Sequence, residues 1–183
     1  MVACGTSHHW GRIFQGLGYK VKLTPAQHVK PFVTNQKNDA NDALAICEAA
    51  FRPGIHFVPV KSIEQQDIKA LRCVRTRLVQ NRNATVNQIR SLAAEYGVIF
   101  PLGRVKLHGK LQDVLEDATN GPSFVLRGLL NRLGDDLKFL DMGVESIDRQ
   151  IKALCKLHPR YKALLSIPSF GPIVAANFMS VVW

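Results

Sequence analysis

A heptad repeat of apolar residues runs through the last third of the chain and limits the folds open to it. The repeat positions alternate in spacing between four and three residues, and they are Leu126, Leu130, Leu133, Leu137, Leu140, Val144, Ile147, Ile151 and Leu154. This spacing predicts one long helix that begins near Ser123 and carries a coiled-coil seam. Such a seam needs a partner helix, which either the same chain or a second copy can supply.

A second long helix is predicted from Ser62 onward, with an apolar stripe that runs from Leu71 to Tyr96 at helical spacing. Beside this stripe lies a basic arc about 140° wide, formed by Lys69, Arg72, Arg75, Arg82 and Arg90. The chain has a net charge of +10, and residues 61–110 alone carry +7. This concentration of charge indicates a surface that binds a polyanion such as nucleic acid, and a solvated helix face is the alternative.

The first sixty residues alternate between short strands and helices, which predicts an α/β region. The expected elements, in chain order, are a strand at 2–4, a helix at 8–17, a strand at 20–23, a short helix opening at Thr24–Pro25, a helix at 38–51 and a strand at 57–60. Residues 101–122 contain several glycines and prolines, and we expect a loose connection there.

The end of the chain reads as helix, tight turn, helix over residues 164–175. A hairpin of this kind can direct the amides of a helix N-terminus, here near Gly171, toward a phosphate. An ordinary helical corner is the alternative interpretation. Ser169 occupies a turn position that often carries glycine.

The sequence excludes a membrane-spanning protein and gives no reason to expect a zinc-binding one. No apolar run is long enough to cross a bilayer. The four cysteines form no Cys-x-x-Cys pair, so a structural zinc site is not expected and the spacing is typical of a reduced, cytoplasmic protein.

The string KNDANDA at residues 37–43 contains the candidate catalytic chemistry. Asp39 and Asp42 are three residues apart, so a helix places both carboxylates on one face near its N-terminus. Such a pair can share a Mg²⁺ ion, although most pairs with this spacing only face water. Lys37 can contact a phosphate or an RNA, or it can be a solvated loop lysine.

Several motifs in order resemble the bacterial insertion-sequence transposases that have a DEDD, RuvC-like catalytic domain (the one-ten and eleven-eleven family, related to pilin-inverting recombinases). These motifs are ACGTSHHW at 3–10, GYKVKL at 18–23, KPFV at 30–33, KNDANDA at 37–43, FVPVK at 57–61 and IPSFGP at 167–172. The resemblance implies an RNase H-like fold, a Mg²⁺-binding set of four acids, a coiled-coil middle and a C-terminal domain with a serine nucleophile. It also implies that the protein acts on DNA, with a structured guide RNA as partner.

The predicted architecture is therefore α/β and then mostly α. It comprises a partial RuvC-like domain over residues 1–60, a helical coiled-coil region over 61–160 that forms homo-oligomers, and the start of a C-terminal helix-hairpin-helix domain over 161–183. Asp39 and Asp42 match the last two acids of the DEDD set. Val2 stands where the family has its Glu, and the first Asp and the serine are expected beyond the two ends of the chain.

These departures predict a transposase fragment that is catalytically incomplete. Two alternatives remain from the sequence. One is a coiled-coil interaction protein that joins full-length transposase and inhibits it. The other is a regulator that binds duplex DNA through the hairpin near Gly171.

Overall fold

The computed structural model describes residues 1–33, 38–117, 119 and 121–182, which divide into an N-terminal unit (residues 1–66) and a helical unit (residues 67–182). The side chain of Val182 is not described, and the predicted phosphate contact Lys37 lies outside the described residues. No helix in the described part of the chain is both long enough and apolar enough to span a membrane.

The N-terminal unit consists of short elements. They are β1 (Val2–Ala3), α1 (Ser7–Gly16), β2 (Thr24–Pro25), α2 (Ala26–Val29), a 3₁₀ turn (Lys30–Phe32) and α3 (Asp39–Phe51). The two strands pair in parallel, with Val2 opposite Thr24. Gly18 follows α1 with a φ of +87°, a conformation that glycine adopts without strain.

Two predictions for this unit are wrong in detail. The strand expected at 20–23 lies later, at Thr24–Pro25, and the short helix begins after it at Ala26. Thr24 is buried and its backbone N–H donates to the carbonyl of Met1 at 2.8 Å, so pairing with the first strand overrides its tendency to cap a helix. The strand expected at 57–60 is reduced to one antiparallel bridge between Val58 and Leu23.

The helix α3 confirms the prediction for residues 38–51. Asn38 is its N-cap, and the Asn38 side chain accepts a hydrogen bond from the backbone N–H of Asn41 at 2.8 Å. The buried core beneath α3 is small and consists of Val29, Ala45 and Ala49. Its size follows from the alanines on the inner face of α3, which bury little apolar area.

The helical unit contains α4 (Ile63–Ala94, whose first turn belongs to the N-terminal unit), α5 (Arg104–Glu116), α6 (Phe124–Lys156), α7 (Tyr161–Leu165) and α8 (Pro172–Val182). The two long helices and the final helix–turn–helix confirm the sequence analysis. In the turn, Ser169 has a φ of +69°, the left-handed conformation that glycine takes most easily.

The helix α5 was not predicted, since residues 101–122 were expected to be loose. Gly109 in its interior costs about 1 kcal/mol relative to alanine. Burial of Leu107, Leu111 and Val114, which lie at helical spacing, offsets that cost. Tertiary packing therefore produces a helix that local propensity does not indicate.

Part of the predicted α6 seam is buried inside this unit, including Leu126, Leu130, Leu137, Val144 and Ile151, whereas Leu154 at its end is 38% exposed. The core joins three helices through Val86, Ile89 and Ala93 of α4, Leu107, Leu111 and Val114 of α5, and Leu126, Leu130 and Leu137 of α6. Gly134 is buried where α5 and α6 meet, and a Cβ there would lie 2.8 Å from Cδ2 of Leu111. The partner helices of the seam are thus, for these residues, within the same chain.

Candidate functional site

The exposed side of α4 forms a basic groove with a volume of about 560 Å³. All its lining residues lie on that one helix, and they are Lys69, Arg72, Cys73, Thr76, Arg77, Gln80 and Asn81. The sequence has no carboxylate anywhere from residue 68 to residue 94. From residue 68 to the end of α4 the groove therefore presents cations and amide groups with no carboxylate between them, a composition that suits a polyanion.

The arginines predicted to contact phosphate are engaged within the chain. Arg75 forms a bidentate ion pair with Asp148, and Arg82 pairs with Asp141 at 3.3 Å. Their position explains this: they lie about 60° from the centre of the apolar stripe, at the edge of the contact with α6.

The other two predicted arginines also have protein partners. One Nη atom of Arg72 donates to Oγ of Ser180 at 3.1 Å, and Arg90 donates to the carbonyl of Pro101 at 3.0 Å. Both side chains still line grooves on α4.

Sequence reasoning missed Arg77, which is exposed and lines the basic groove with Lys69. The angular positions of the residues contained the signal. Lys69 and Gln80 lie almost opposite the apolar stripe, whereas Arg77 lies about 90° from it, on the flank away from the predicted arc. A search for cations on both flanks of the stripe, instead of one, would have found Arg77.

A second groove of about 390 Å³ follows further along α4, and we name it the arginine pocket. It is lined by Arg82, Asn83, Val86, Asn87 and Arg90 of α4 with Gly103 and Arg104 at the start of α5. Asn83, Asn87 and Arg104 were not among the predicted site residues. Arg104 was missed because the helix that carries it was missed.

Asp141 of α6 joins three helices beside this pocket. It accepts from Arg82 of α4 at 3.3 Å, from Arg104 of α5 and from His108 of α5 at 3.2 Å. Burial alone would raise the pKa of Asp141, but the hydrogen bonds from Arg104, His108 and Arg82 together hold that pKa below its ordinary value. Asp141 is therefore the negative centre of a cationic cluster.

The carboxylate pair lies at the N-terminus of α3, where Asp39 is exposed and Asp42 is half-buried. Among the residues that the structure describes, neither carboxylate forms an ion pair, and no three His, Cys, Asp or Glu side chains gather into a metal site. Their oxygen donors are the type that Mg²⁺ prefers, but two carboxylates do not fix the six-coordinate geometry of that ion. The described residues fit only part of a magnesium site.

Gly171 lies directly before α8, as predicted, but its backbone N–H donates to the carbonyl of Ser169 at 3.2 Å. Its carbonyl accepts from the N–H of Ala175 at 3.0 Å and so begins the helix. The Gly171 amide therefore closes the turn, and phosphate contact at this hairpin stays a prediction that would depend on other amides.

Comparison with known proteins connects these features to one family. Residues 1–98 match a family model of the DEDD IS110 type that is described as "Transposase". The chain is 40% identical over 177 residues to a probable family 20 transposase of Pseudomonas aeruginosa, which covers 96% of this chain and 52% of that protein. It is 38% identical over 182 residues to the transposase for insertion sequence element IS1111A of Coxiella burnetii. That match covers 100% of this chain and 50% of the relative.

A third relative, the transposase for insertion sequence element IS1328 of Yersinia enterocolitica, is 37% identical over 176 residues, with 96% of this chain and 52% of that protein covered. The chain thus spans about half the length of the curated relatives it matches.

Proposed function

We propose, from the premise that this chain belongs to the DEDD family of insertion-sequence transposases, that it acts in the cytoplasm in DNA transposition as a nucleic-acid-binding part of such an enzyme. The observation that carries the proposal is the basic groove on α4, with Lys69 and Arg77 exposed on a helix stretch free of carboxylates. The ligand is the phosphate backbone of DNA or of a structured guide RNA.

The chemistry of the groove suits backbone contact. Lysine and arginine neutralise phosphates and release counterions, so affinity falls steeply as salt rises. Thr76, Gln80 and Asn81, which line the same groove, supply additional hydrogen-bond donors. Because the cations of the groove lie on one rigid helix, they keep a fixed spacing along a bound strand.

The experiment measures binding of a fluorescent duplex, and separately of a structured RNA, as a function of salt. We expect Lys69→Gln with Arg77→Gln to reduce the slope of log affinity against log salt by about 2, which is two phosphate contacts. The matched control is Arg132→Gln with Lys138→Gln, which removes two exposed cations from α6. Equal slopes for the two double variants would contradict the proposal.

The magnesium chemistry of the family enters through Asp39 and Asp42. We propose that these carboxylates are two ligands of the DEDD centre in an RNase H-like (RuvC-like) domain over residues 1–60. Support comes from their adjacency at the positive end of α3 and from the family match that includes them. When bound, the ion would stabilise charge on a reacting phosphate.

A two-carboxylate set binds a divalent ion weakly, so we expect this chain alone neither to cut nor to join DNA. Broadening of backbone NMR signals by Mn²⁺ tests the site. The effect should centre on residues 39–42, disappear in Asp39→Asn with Asp42→Asn, and persist in the matched control Glu48→Gln. Strand transfer by this chain that depends on Asp39 would contradict the expectation that it neither cuts nor joins DNA alone.

Self-association through the coiled-coil region completes the proposal. The inner face of α6 is buried in the chain's own core, but Phe139 is 70% exposed and Met142 is also exposed on the same helix. These side chains are available to a second copy. Sedimentation of the wild type against Phe139→Ser is the measurement, and an unchanged monomeric mass in both would refute it.

A further inference from the structure

The arginine pocket brings three guanidinium groups together from two helices. Arg82 and Arg90 reach it from α4, and Arg104 reaches it from the first turn of α5. Among the described residues that line the pocket there is no carboxylate, and the polar remainder consists of the amides of Asn83 and Asn87. Both asparagines are exposed on the same side of α4.

Donor groups in the pocket remain unused. The Nε atoms of Arg82 and Arg90 are buried and have no hydrogen-bond partner among the residues that the structure describes. The N-cap of α5 is Gly103, with a φ of +93° and no side-chain cap, so no capping side chain covers the first amides of that helix. Buried N–H groups without partners are rare in folded proteins, which indicates a missing acceptor.

The balance of charges in the pocket also indicates that an anion binds there. One carboxylate, Asp141, accepts from Arg82, Arg104 and His108 at once, so it offsets one of several positive charges. Among the described residues, the acceptors of Arg90 are the neutral carbonyl oxygens of Pro101 and Gly103. Guanidinium groups in excess over carboxylates are the usual setting for a bound oxyanion.

We propose that the arginine pocket is a phosphate-binding site, which takes either a backbone phosphate of nucleic acid or a free phosphate compound. Asn83 and Asn87 complete the donor set from the open side of the groove. The backbone form rests on the proposed function, whereas binding of free phosphate stands without it. The site is distinct from the basic groove, whose lining contains none of the same residues.

The test uses the full chain and inorganic pyrophosphate as the probe, at constant ionic strength, with NMR amide shifts as the readout. We expect shifts at residues 82–90 and 103–106. Asn87→Asp places a carboxylate in the pocket and should weaken pyrophosphate binding about tenfold, since like charges a few ångströms apart repel strongly near a protein surface. The variant keeps a polar residue at an exposed helical position, and circular dichroism checks its folding.

The matched control is Gln88→Glu, which adds the same charge one residue later on α4, outside the pocket lining. Equal weakening by Asn87→Asp and Gln88→Glu, or no binding of pyrophosphate by the wild type, would overturn the inference. Competition between pyrophosphate and an oligonucleotide for the pocket identifies the backbone source, and independent binding identifies a free phosphate compound.

The two proposals fail separately. The Lys69/Arg77 double variant alters the basic groove and leaves the arginine pocket intact, whereas Asn87→Asp does the reverse. If oligonucleotide binding is lost in the Lys69/Arg77 double variant but not in Asn87→Asp, the arginine pocket does not bind backbone phosphate. The proposed function would still stand.

Discussion

The two units of the chain bury their apolar side chains to different extents. In the helical unit, leucines from three helices form one continuous core. In the N-terminal unit, the core beneath α3 is two alanines and a valine, while Trp10 is 47% exposed and Leu17 is 68% exposed. Because apolar burial is the main stabilising term, the helical unit carries most of the folding free energy.

Because of this difference, the candidate carboxylate pair and the basic grooves lie in units that are packed to different extents. The carboxylate pair proposed as part of the DEDD centre lies in the weakly packed unit, on an exposed helix end. The grooves with basic side chains lie on the strongly packed one. Changes in the helical core are therefore expected to affect folding first, and changes around α3 to affect the site locally.

The largest expected effect is in the helical core. Leu130→Ala removes a fully buried side chain and should lower the free energy of unfolding by about 3 kcal/mol. Leu129→Ala, one residue away and half exposed, should change it by less than about 0.5 kcal/mol. Urea unfolding followed by circular dichroism measures both. Similar losses of unfolding free energy in the two variants would mean that the buried core is not the main source of stability in this unit.

The next effect concerns Asp141. Asp141→Asn leaves Arg82, Arg104 and His108 without their carboxylate and should cost about 2 kcal/mol. Asp136→Asn, which breaks an exposed pair with Arg132 on the same helix, should cost less than about 0.5 kcal/mol.

The same carboxylate gives a pH dependence. The pKa of Asp141 lies below its ordinary value of 3.8. Its stabilising contribution is thus complete above that value and is lost as the pH falls through the lowered pKa. The stability difference between wild type and Asp141→Asn should shrink when the pH is lowered past 3.8, and a constant difference would argue against the assignment.

A smaller effect is expected at the carboxylate pair. Asn38→Ala removes the cap of α3 and should cost about 1 kcal/mol, because the N–H of Asn41 loses its acceptor. Hydrogen exchange in the first turn of α3 should increase, while exchange in α6 should stay unchanged. Asn38→Asp, which can still cap, is the control. Faster exchange in both helices would show that the two units do not respond separately.

The smallest effect is expected in the final turn. Ser169→Gly relieves a left-handed backbone conformation and should raise stability by up to about 1 kcal/mol. Ser166→Gly, at an ordinary helical φ, should lower stability instead. Thermal unfolding distinguishes the two signs, and a loss at both positions would contradict the argument.

The helices were predictable where the sequence repeats strongly. The long helix α6 and the cap–helix pattern at Asn38 are local signals, and both helices are confirmed. The helix α5 was missed although Leu107, Leu111 and Val114 lie at helical spacing, because it depends on their burial against other helices and the nearby glycines and prolines favour a loop. The strand at Thr24–Pro25 likewise depends on pairing with residues more than twenty positions away.

The site was less predictable, because a periodic pattern places cations on a helix without showing what packs beside them. Arg75 and Arg82 share the arc of Lys69, yet the acids that engage them, Asp148 and Asp141, lie on a distant helix. Magnesium binding at Asp39 and Asp42 stays a prediction that the described donor set fits in part.

The position of α6 in the chain has a consequence for how the helical unit is made. During synthesis α4 and α5 leave the ribosome first, and α6 brings Leu130, Leu137, Asp141 and Asp148 only later. Until then the earlier helices have neither their apolar lining nor the anions for Arg75, Arg82 and Arg104. The helical unit therefore reaches its packed form only after the residues of α6 have emerged.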